Sequence, residues 1–399
     1  MDAPEVSRTT AWMRVGILTL SAFIFNTTEF APIGLLSDIA NSFSIPSERV
    51  GLIITLYAWI VTIASLTCIF AIGQVERRRL LTGIFILFIA SHVLTAIAWN
   101  FSLLVLSRAG VALSHAIFWS ITASLAIRVA PPGKRAQALS LLAGGTALAM
   151  VLGLPLGRII GQWFGWRMTF AGIAASAAFA LIMVLKFMPE LKSENAGSLT
   201  MVPELLRRWP LVFVYIITVI VVTAHFSTYS YIEPFIQNLA GMSENVTTLI
   251  LLIFGVSGIA GSLLFGRYGE RYPIAFLNAA LTLLLISLVF LFPSSNSQVS
   301  LTLLCALCAL CALCALCALW GMAIMAFGLS MQAKVLNLAP DATDVAMGFF
   351  SGLYNFGIGS GALLGNLVIQ GWGIGAIGFV AASIVFLAMS LSFLLRRFH

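Results

Sequence analysis

The chain has 399 residues, of which 60% are hydrophobic and only 9% are charged, with a net charge of +7 and a mean hydropathy of +1.05. A water-soluble domain carries about a quarter charged residues, so this composition excludes a soluble fold. Apolar runs of about 18 or more residues recur, each long enough to cross the bilayer as a helix, whereas the alternating strands of an outer-membrane barrel are not seen. The start, MDAPEVSRTTAWMR, lacks the pattern of a secretory signal, so the first apolar run is expected to remain as a span.

Short polar segments between the apolar runs divide the chain into twelve predicted membrane-spanning helices. The first six lie near 14–37, 50–73, 80–99, 102–127, 136–161 and 166–188. The last six lie near 209–232, 245–266, 273–293, 299–331, 343–368 and 372–395. The polar segment 189–208 is predicted to be a cytoplasmic linker, so residues 1–188 form an N-terminal half and residues 209–399 a C-terminal half.

Most of the 21 basic residues fall at the two ends and in the even-numbered connections between spans. An excess of arginine and lysine marks the cytoplasmic side of a membrane protein. Both termini are therefore predicted to be cytoplasmic, and the net charge requires no nucleic-acid partner.

Short similarities at matching places indicate that the two halves are repeats of each other. GQVERR follows the second span and GRYGER the eighth, while APPGKRAQA follows the fourth and APDATDVAM the tenth. Residues 153–157 match residues 361–365. The order of these matches predicts two six-helix repeats related by an axis along the membrane normal.

Residues 305–319 are five copies of Cys-Ala-Leu and hold five of the six cysteines. A period of three falls short of the helical 3.6, so successive cysteines rotate by about 60° and do not converge as metal ligands must. We interpret the tract as a neutral expansion that lengthens the tenth span to about 50 Å, with tilting or a bend at Gly321 or Gly328 to absorb part of the excess.

Four motifs carry a family resemblance. GQVERRRL lies in the first cytoplasmic hairpin, and Arg108 lies inside the fourth span. The fifth span carries GTALAMVLGLPLGRIIG, and GWRMTF opens the sixth. They resemble the loop motif, the fourth-helix arginine, the antiporter Gly-Pro motif and a further element of the major facilitator superfamily. Glu76 replaces the usual aspartate of the loop motif and its second glycine is missing. A basic turn and ordinary small-residue packing are the alternative interpretations of the first and third motifs.

Within this superfamily, the chain most resembles the bacterial sugar efflux transporters of the drug/proton antiporter branch. Three segments carry this closer resemblance: AFIFNTTEFAPIGLLSDIA, AHFSTYSYIEPF and LAPDATDVAMGFFSG. The resemblance implies a twelve-helix transporter of the inner membrane that exports sugars such as arabinose and galactosides in exchange for protons. It also implies a gating role for Gly73, Glu76 and Arg77, and an antiporter motif at Gly153, Pro155 and Gly157.

Ionisable and polar residues inside spans are the candidates for the transport site, because such residues are costly in a membrane. Glu29 and Arg108 are predicted to couple protons. The predicted sugar-binding residues are Asn26, Tyr57, His115, Trp119, His225, Tyr229 and Asn355. The alternative for each is a role in holding helices together, which we favour for His92, while Glu233 could merely mark the end of a helix.

No cofactor is predicted, since no nucleotide loop, metal cluster or nucleophile in a catalytic context is found in the sequence. The chain is therefore not expected to be an enzyme, and uphill transport would use an ion gradient. A monomer in the lipid bilayer is expected, with a sugar and protons as its small-molecule partners. A broad-specificity drug/proton antiporter, with a more aromatic and less polar pocket, is the main alternative.

Overall fold

A computed structural model describes residues 7–71, 75–191, 202–269, 271–295 and 303–395, and these residues are helical without any strand. Eleven of the described helices are long and apolar enough to cross a membrane. The predicted all-helical membrane fold is therefore confirmed, and the helix at the expected first span, Arg8–Phe30, is not one of these eleven.

The described residues of the N-terminal half form seven α-helices. They are α1 (Arg8–Phe30), α2 (Leu36–Phe43), α3 (Ser47–Ala71), α4 (Arg77–Ala96), α5 (Phe101–Val129), α6 (Arg135–Phe164) and α7 (Trp166–Phe187). Side chains that accept hydrogen bonds from free backbone N–H groups start several of them, as Ser7 does for α1 and Asn100 for α5. Gly165, at φ 84°, makes the turn between α6 and α7 in a conformation that favours glycine.

The described residues after Leu191 form eight further α-helices. They are α8 (Val202–Leu205), α9 (Trp209–Tyr229), α10 (Ile232–Pro234), α11 (Glu244–Leu264), α12 (Pro273–Ser295), α13 (Leu303–Leu338), α14 (Thr343–Trp372) and α15 (Ile377–Leu395). α8 lies inside the predicted linker, of which residues 192–201 lie outside the described residues. The linker and the limits of the two halves stay predictions.

The first span ends earlier than its hydropathy suggested. α1 stops at Phe30, a 3₁₀ turn covers Ala31–Leu35, and α2 follows. Pro32 explains the break, because proline has no N–H to continue an α-helix and restricts the residue before it. The seventh span breaks in the same way, since α9 ends at Tyr229 shortly before Pro234. The two halves thus share this irregularity as well.

The described helices form two compact units, Met1–Pro32 with Ile60–Gly197 and Ile33–Trp59 with Ser198–His399. In the first unit α1 packs on α6, α4 on α7, and α4 on α5. In the second unit the equivalent helices pair in the same way: α9 packs on α14, α12 on α15, and α12 on α13. These three shared pairs support the interpretation of two six-helix repeats. The segment Ile33–Trp59 belongs to the first half by sequence but packs with the second unit.

The Cys-Ala-Leu tract lies within α13, which has 36 residues and continues through both Gly321 and Gly328. The described cysteines face different surroundings, because Cys311 is exposed, Cys314 half-buried and Cys317 buried. Gly321 permits close packing, since a Cβ there would lie 2.2 Å from the carbonyl oxygen of Phe254 on α11.

Candidate functional site

An acid, a histidine and a tryptophan meet in the first unit. Glu29 lies one residue before the end of α1, and its carboxylate oxygen is 3.7 Å from Nε2 of His115 on α5. The His115 side chain is 5% exposed and that of Glu29 is 14% exposed. Trp119, one turn after His115, places its ring 6.2 Å from the imidazole, and Asn26 is buried one turn before Glu29. The structure thus brings together two predicted site residues from helices far apart in sequence.

The separation between Glu29 and His115 has a chemical consequence. A distance of 3.7 Å exceeds that of a normal hydrogen bond but allows an ion pair when the imidazole is protonated. The two groups can therefore share one proton between a neutral pair and a charged pair. Such an arrangement is suited to accepting and releasing a proton within a membrane.

Arg108 is held next to this pair by the residue that precedes Glu29. Its guanidinium donates to the side-chain oxygen of Thr28 over 3.2 Å and to the backbone carbonyl of Thr28 over 3.0 Å. The Thr28 hydroxyl also lies 2.6 Å from Nε2 of His92 on α4. Arg108 is 1% exposed, and Thr28 and His92 are fully buried.

Stacked aromatic rings support the cluster from α1, α4 and α5. Phe25 stacks on Phe88 with ring centres 4.0 Å apart and on Phe118 with ring centres 4.1 Å apart. All three rings are fully buried, so they fix the spacing of the helices that carry Glu29, His92 and His115.

A second cluster, which we call the aromatic cluster, consists of His225, Tyr229, Phe254 and Trp320 in the second unit. His225 stacks on Tyr229 at 5.0 Å, and Tyr229 stacks on Phe254 at 4.6 Å. Trp320 stands edge-on and donates its indole N–H to Nδ1 of His225 over 2.9 Å. Because Nδ1 accepts this bond, the neutral ring of His225 carries its hydrogen on Nε2 and can donate from that atom.

The remaining predicted sugar-binding residues also lie in the second unit. Tyr57 on α3 is 3% exposed and Asn355 on α14 is 9% exposed. The Asn355 amide nitrogen donates to the carbonyl of Ser351, while its oxygen Oδ1 is buried without a hydrogen-bond partner among the described residues. A buried acceptor of this kind is suited to a hydroxyl-bearing ligand.

The loop motif has a clear structural use. The Glu76 carboxylate caps α4 by accepting from the backbone N–H groups of Arg78 and Arg79, each over 2.8 Å, and it accepts from that of Leu191 over 2.7 Å. Burial alone would raise the pKa of Glu76, but these three bonds outweigh it and hold the pKa below its usual value. Glu76 thus ties the start of α4 to the chain after α7. Arg77 donates its own N–H to Leu191, and Gly73 lies outside the described residues.

The antiporter motif forms the contact surface of α6 with α1. A Cβ on Gly153 would lie 3.1 Å from the Cα atom of Thr27, and one on Gly157 would lie 3.4 Å from the Cβ of Ala31. Pro155 lies buried within the same helix. Small residues let α6 approach the segment of α1 that carries Glu29.

Residues of the segment Ile33–Trp59 are hydrogen-bonded to α10 and α14 within the second unit. The buried Glu233 carboxylate accepts from the backbone N–H of Ser37 over 3.1 Å and from its hydroxyl over 2.9 Å. The Asn366 amide on α14 donates to the carbonyl of Glu48 on α3 over 2.5 Å, and the ring of Tyr231 lies against Gly51 of α3. Glu233 is therefore more than the end of a helix: it is an acceptor that holds α2 in place.

Sequence reasoning missed four side chains of these clusters. Trp320 directly follows the repeat tract, Phe254 was one of 29 phenylalanines, and Thr28 and His92 were not assigned to the site. Its helix could have drawn attention to Trp320, because α13 is the counterpart of α5, which carries Trp119. Thr28 gave no such signal.

The paired helices and the ionisable residues within them define a multi-pass membrane protein built from two six-helix repeats. A model of the Major Facilitator Superfamily matches residues 18–341. The chain therefore belongs to this superfamily and is a membrane transporter, a class whose members are generally not enzymes.

Solved transporters share the fold at low sequence identity. One is a bacterial homologue of the human lysosomal transporter Spinster in an inward-facing, unoccupied conformation, with 15% identity, a TM-score of 0.62, and coverage of 96% of this chain and 99% of that chain. A POT family transporter in complex with 5-aminolevulinic acid has 11% identity, a TM-score of 0.74, and coverage of 95% and 96%. A peptide transporter POT in complex with alafosfalin has 13% identity, a TM-score of 0.71, and coverage of 98% and 96%.

Proposed function

We propose that this transporter exports small sugars, such as arabinose and galactosides, across the bacterial inner membrane in exchange for protons. The contact between Glu29 and His115 carries the proposal, since it is a mostly buried carboxylate and imidazole at 3.7 Å that can hold one proton. Uphill transport in this scheme uses the proton gradient. Both termini face the cytoplasm, as the distribution of basic residues predicts.

Glu29 is the proposed proton carrier. A proton entering from the outer side neutralises the carboxylate, and its release to the inner side restores the charge beside Arg108 and His115. Arg108 favours the charged carboxylate, because a nearby cation stabilises an anion. The competition between burial and Arg108 makes the protonation state sensitive to which side of the membrane the site faces.

The proposed sugar contacts are of the kinds that a polyhydroxyl ligand requires. Nε2–H of His225 can donate to a hydroxyl, Oδ1 of Asn355 can accept from one, and the rings of Trp119 and Tyr229 can stack on C–H faces. Asn26, Tyr57 and His115 add further polar groups from the same set of predictions.

The proposal is tested by sugar accumulation in everted membrane vesicles with and without an imposed proton gradient. The parent chain should concentrate radiolabelled arabinose only when the gradient is present. Glu29→Gln should retain downhill exchange of sugar but lose gradient-driven accumulation, because its amide cannot exchange a proton. Glu244→Gln, at the exposed start of α11, serves as the matched control and should behave like the parent.

Two results would count against the scheme in different ways. If the parent moves no sugar under any gradient, the substrate class is wrong. If Glu29→Gln still concentrates sugar when the gradient is imposed, Glu29 is not the carrier, and His115 or His225 becomes the candidate.

The aromatic cluster favours a second candidate, a broad-specificity drug/proton antiporter. His225, Tyr229 and Phe254 are stacked and Trp320 stands edge-on to them, and grouped aromatic rings are of the kind that organic cations bind. Export of a fluorescent cation such as ethidium, together with absence of arabinose transport, would select this function over sugar export.

A further inference from the structure

The hydroxyl of Thr28 is the meeting point of three helices in the first unit. Arg108 from α5 donates to its oxygen over 3.2 Å, and His92 from α4 places Nε2 2.6 Å from it. The other ring nitrogen of His92, Nδ1, is 3.0 Å from the carbonyl oxygen of Phe88. Thr28 itself lies on α1 immediately before Glu29.

The direction of every hydrogen bond in this group follows from its partners. The Phe88 carbonyl can only accept, so Nδ1 of His92 must carry a hydrogen. Arg108 can only donate, so the Thr28 oxygen accepts from it. In a neutral His92 ring with its hydrogen on Nδ1, Nε2 has no hydrogen and accepts from the Thr28 hydroxyl. The bonds therefore run in one direction, from Arg108 through Thr28 and His92 to Phe88.

Two consequences follow for the chemistry of the group. In this arrangement both nitrogens of the neutral His92 ring are used, so the ring has no free acceptor for the transported proton. A second hydrogen on His92 would place another cation beside Arg108 and would require the Thr28 hydroxyl to turn away. The group therefore holds a fixed arrangement and does not relay protons.

We infer that Thr28 and His92 are positioning residues of the proton-coupling site: the Thr28 hydroxyl, oriented by His92, fixes the Arg108 guanidinium beside the Glu29–His115 pair. This inference rests on the proposed function of Glu29. Arg108 makes two bonds to Thr28, one to the hydroxyl and one to the backbone carbonyl. Loss of the hydroxyl leaves the carbonyl bond, so the guanidinium stays near α1 but loses its fixed orientation.

Histidine NMR tests the bond directions without any transport assay. The sequence has only four histidines, His92, His115, His225 and His399, so ¹⁵N-histidine labelling in nanodiscs gives few signals, each assignable by single substitution. His92 should carry its hydrogen on Nδ1 and His225 on Nε2. Thr28→Val should shift the Nε2 signal of His92 and leave that of His225 unchanged. A His92 ring protonated on Nε2 would overturn the inference.

Transport separates positioning from folding. Thr28→Val, similar in shape but without the hydroxyl, should reduce gradient-driven accumulation about tenfold or more while downhill exchange continues, because a hydrogen bond to a charged group is lost. Thr28→Ser should restore accumulation. Thr122→Val, which removes a buried hydroxyl bonded only within α5 among the described contacts, is the control and should match the parent.

Each further outcome has a defined meaning. Accumulation at the parent level in Thr28→Val refutes the positioning role. Should Thr28→Val not fold, His92→Gln, whose amide oxygen can accept near the Nε2 position, must retain more accumulation than His92→Leu, and equal activity of the two also refutes the role. Failure of the parent to accumulate sugar refutes the proposed function instead, while the NMR result still decides the hydrogen-bond directions.

Discussion

Deleting four of the five Cys-Ala-Leu repeats, residues 305–316, should leave a folded protein. α13 has 36 residues and measures about 54 Å at about 1.5 Å per residue, whereas about 30 Å of hydrocarbon must be crossed. The deletion leaves 24 helical residues, or about 36 Å, which still exceeds the membrane core. Trp320 and its bond to His225 lie after the deleted part and are retained.

The side-chain positions make the expected effect small. Among the described side chains of the deleted part, only Leu313 is fully buried. A deletion of twelve residues brings Leu301 to the position of Leu313, so a leucine replaces a leucine and little apolar burial is lost. A deletion of eleven residues, 306–316, brings Thr302 there instead, which should cost about 2–3 kcal/mol in lost burial.

The pair of deletions is compared by heating the detergent-solubilised proteins and measuring the surviving monodisperse fraction by size-exclusion chromatography. The twelve-residue deletion should melt close to the parent, and the eleven-residue deletion several degrees lower. If the twelve-residue deletion yields no folded protein, or melts below the eleven-residue one, the tract is not a passive expansion.

Two more predictions concern contacts outside the membrane core. Glu233→Gln should weaken the attachment of α2, because both bonds from Ser37 end on one carboxylate oxygen and a neutral amide oxygen accepts them more weakly than a charged one. Ser230 is fully buried, so in a Ser230→Cys background labelling by a membrane-impermeant maleimide should be faster with Glu233→Gln than without it. Unchanged labelling would show that the bonds to Ser37 do not hold this segment. Arg208 lowers the pKa of Asp341 to about 2, so Asp341 favours the folded state above its unfolded pKa and loses that effect progressively as the pH falls from there through about 2. NMR titration of Asp341 should therefore show no protonation near pH 4, whereas in Arg208→Gln the carboxyl should titrate near its ordinary value.

The helices themselves were predictable, because long apolar runs have few alternatives in a membrane. Predicted limits for the second to seventh spans agree with the structure within a few residues at most ends. The first span was extended too far since the apolar average continued across Pro32, although a proline at that place ends an α-helix. The end of α1 is therefore set by the backbone restriction at Pro32, which the average hydropathy of the segment does not detect.

Helical periodicity explains why the sequence assigned Asn26 and Glu29 to the candidate site and why it did not assign Thr28. Asn26 and Glu29 are three residues apart and share a helix face, so they were assigned together. Thr28 lies about 100° away from Glu29 around the same helix and so faces α4 and α5. A search for polar residues on the face of α1 that carries Asn26 and Glu29 therefore does not select Thr28. The contacts of Thr28 with His92 and Arg108 join positions 64 and 80 residues apart, which no local pattern reveals.

The two units use equivalent helices for different chemistry. In the first unit, α1 and α5 present Glu29, Arg108 and His115, which can carry charge. In the second unit, their counterparts α9 and α13 present His225, hydrogen-bonded as a neutral ring to Trp320, among stacked aromatic side chains. The two units therefore differ at equivalent helices: the first carries the candidate proton site and the second carries the aromatic cluster. It follows that substitution of Glu29 should change the dependence of transport on the proton gradient while the rings that would contact the substrate keep their arrangement.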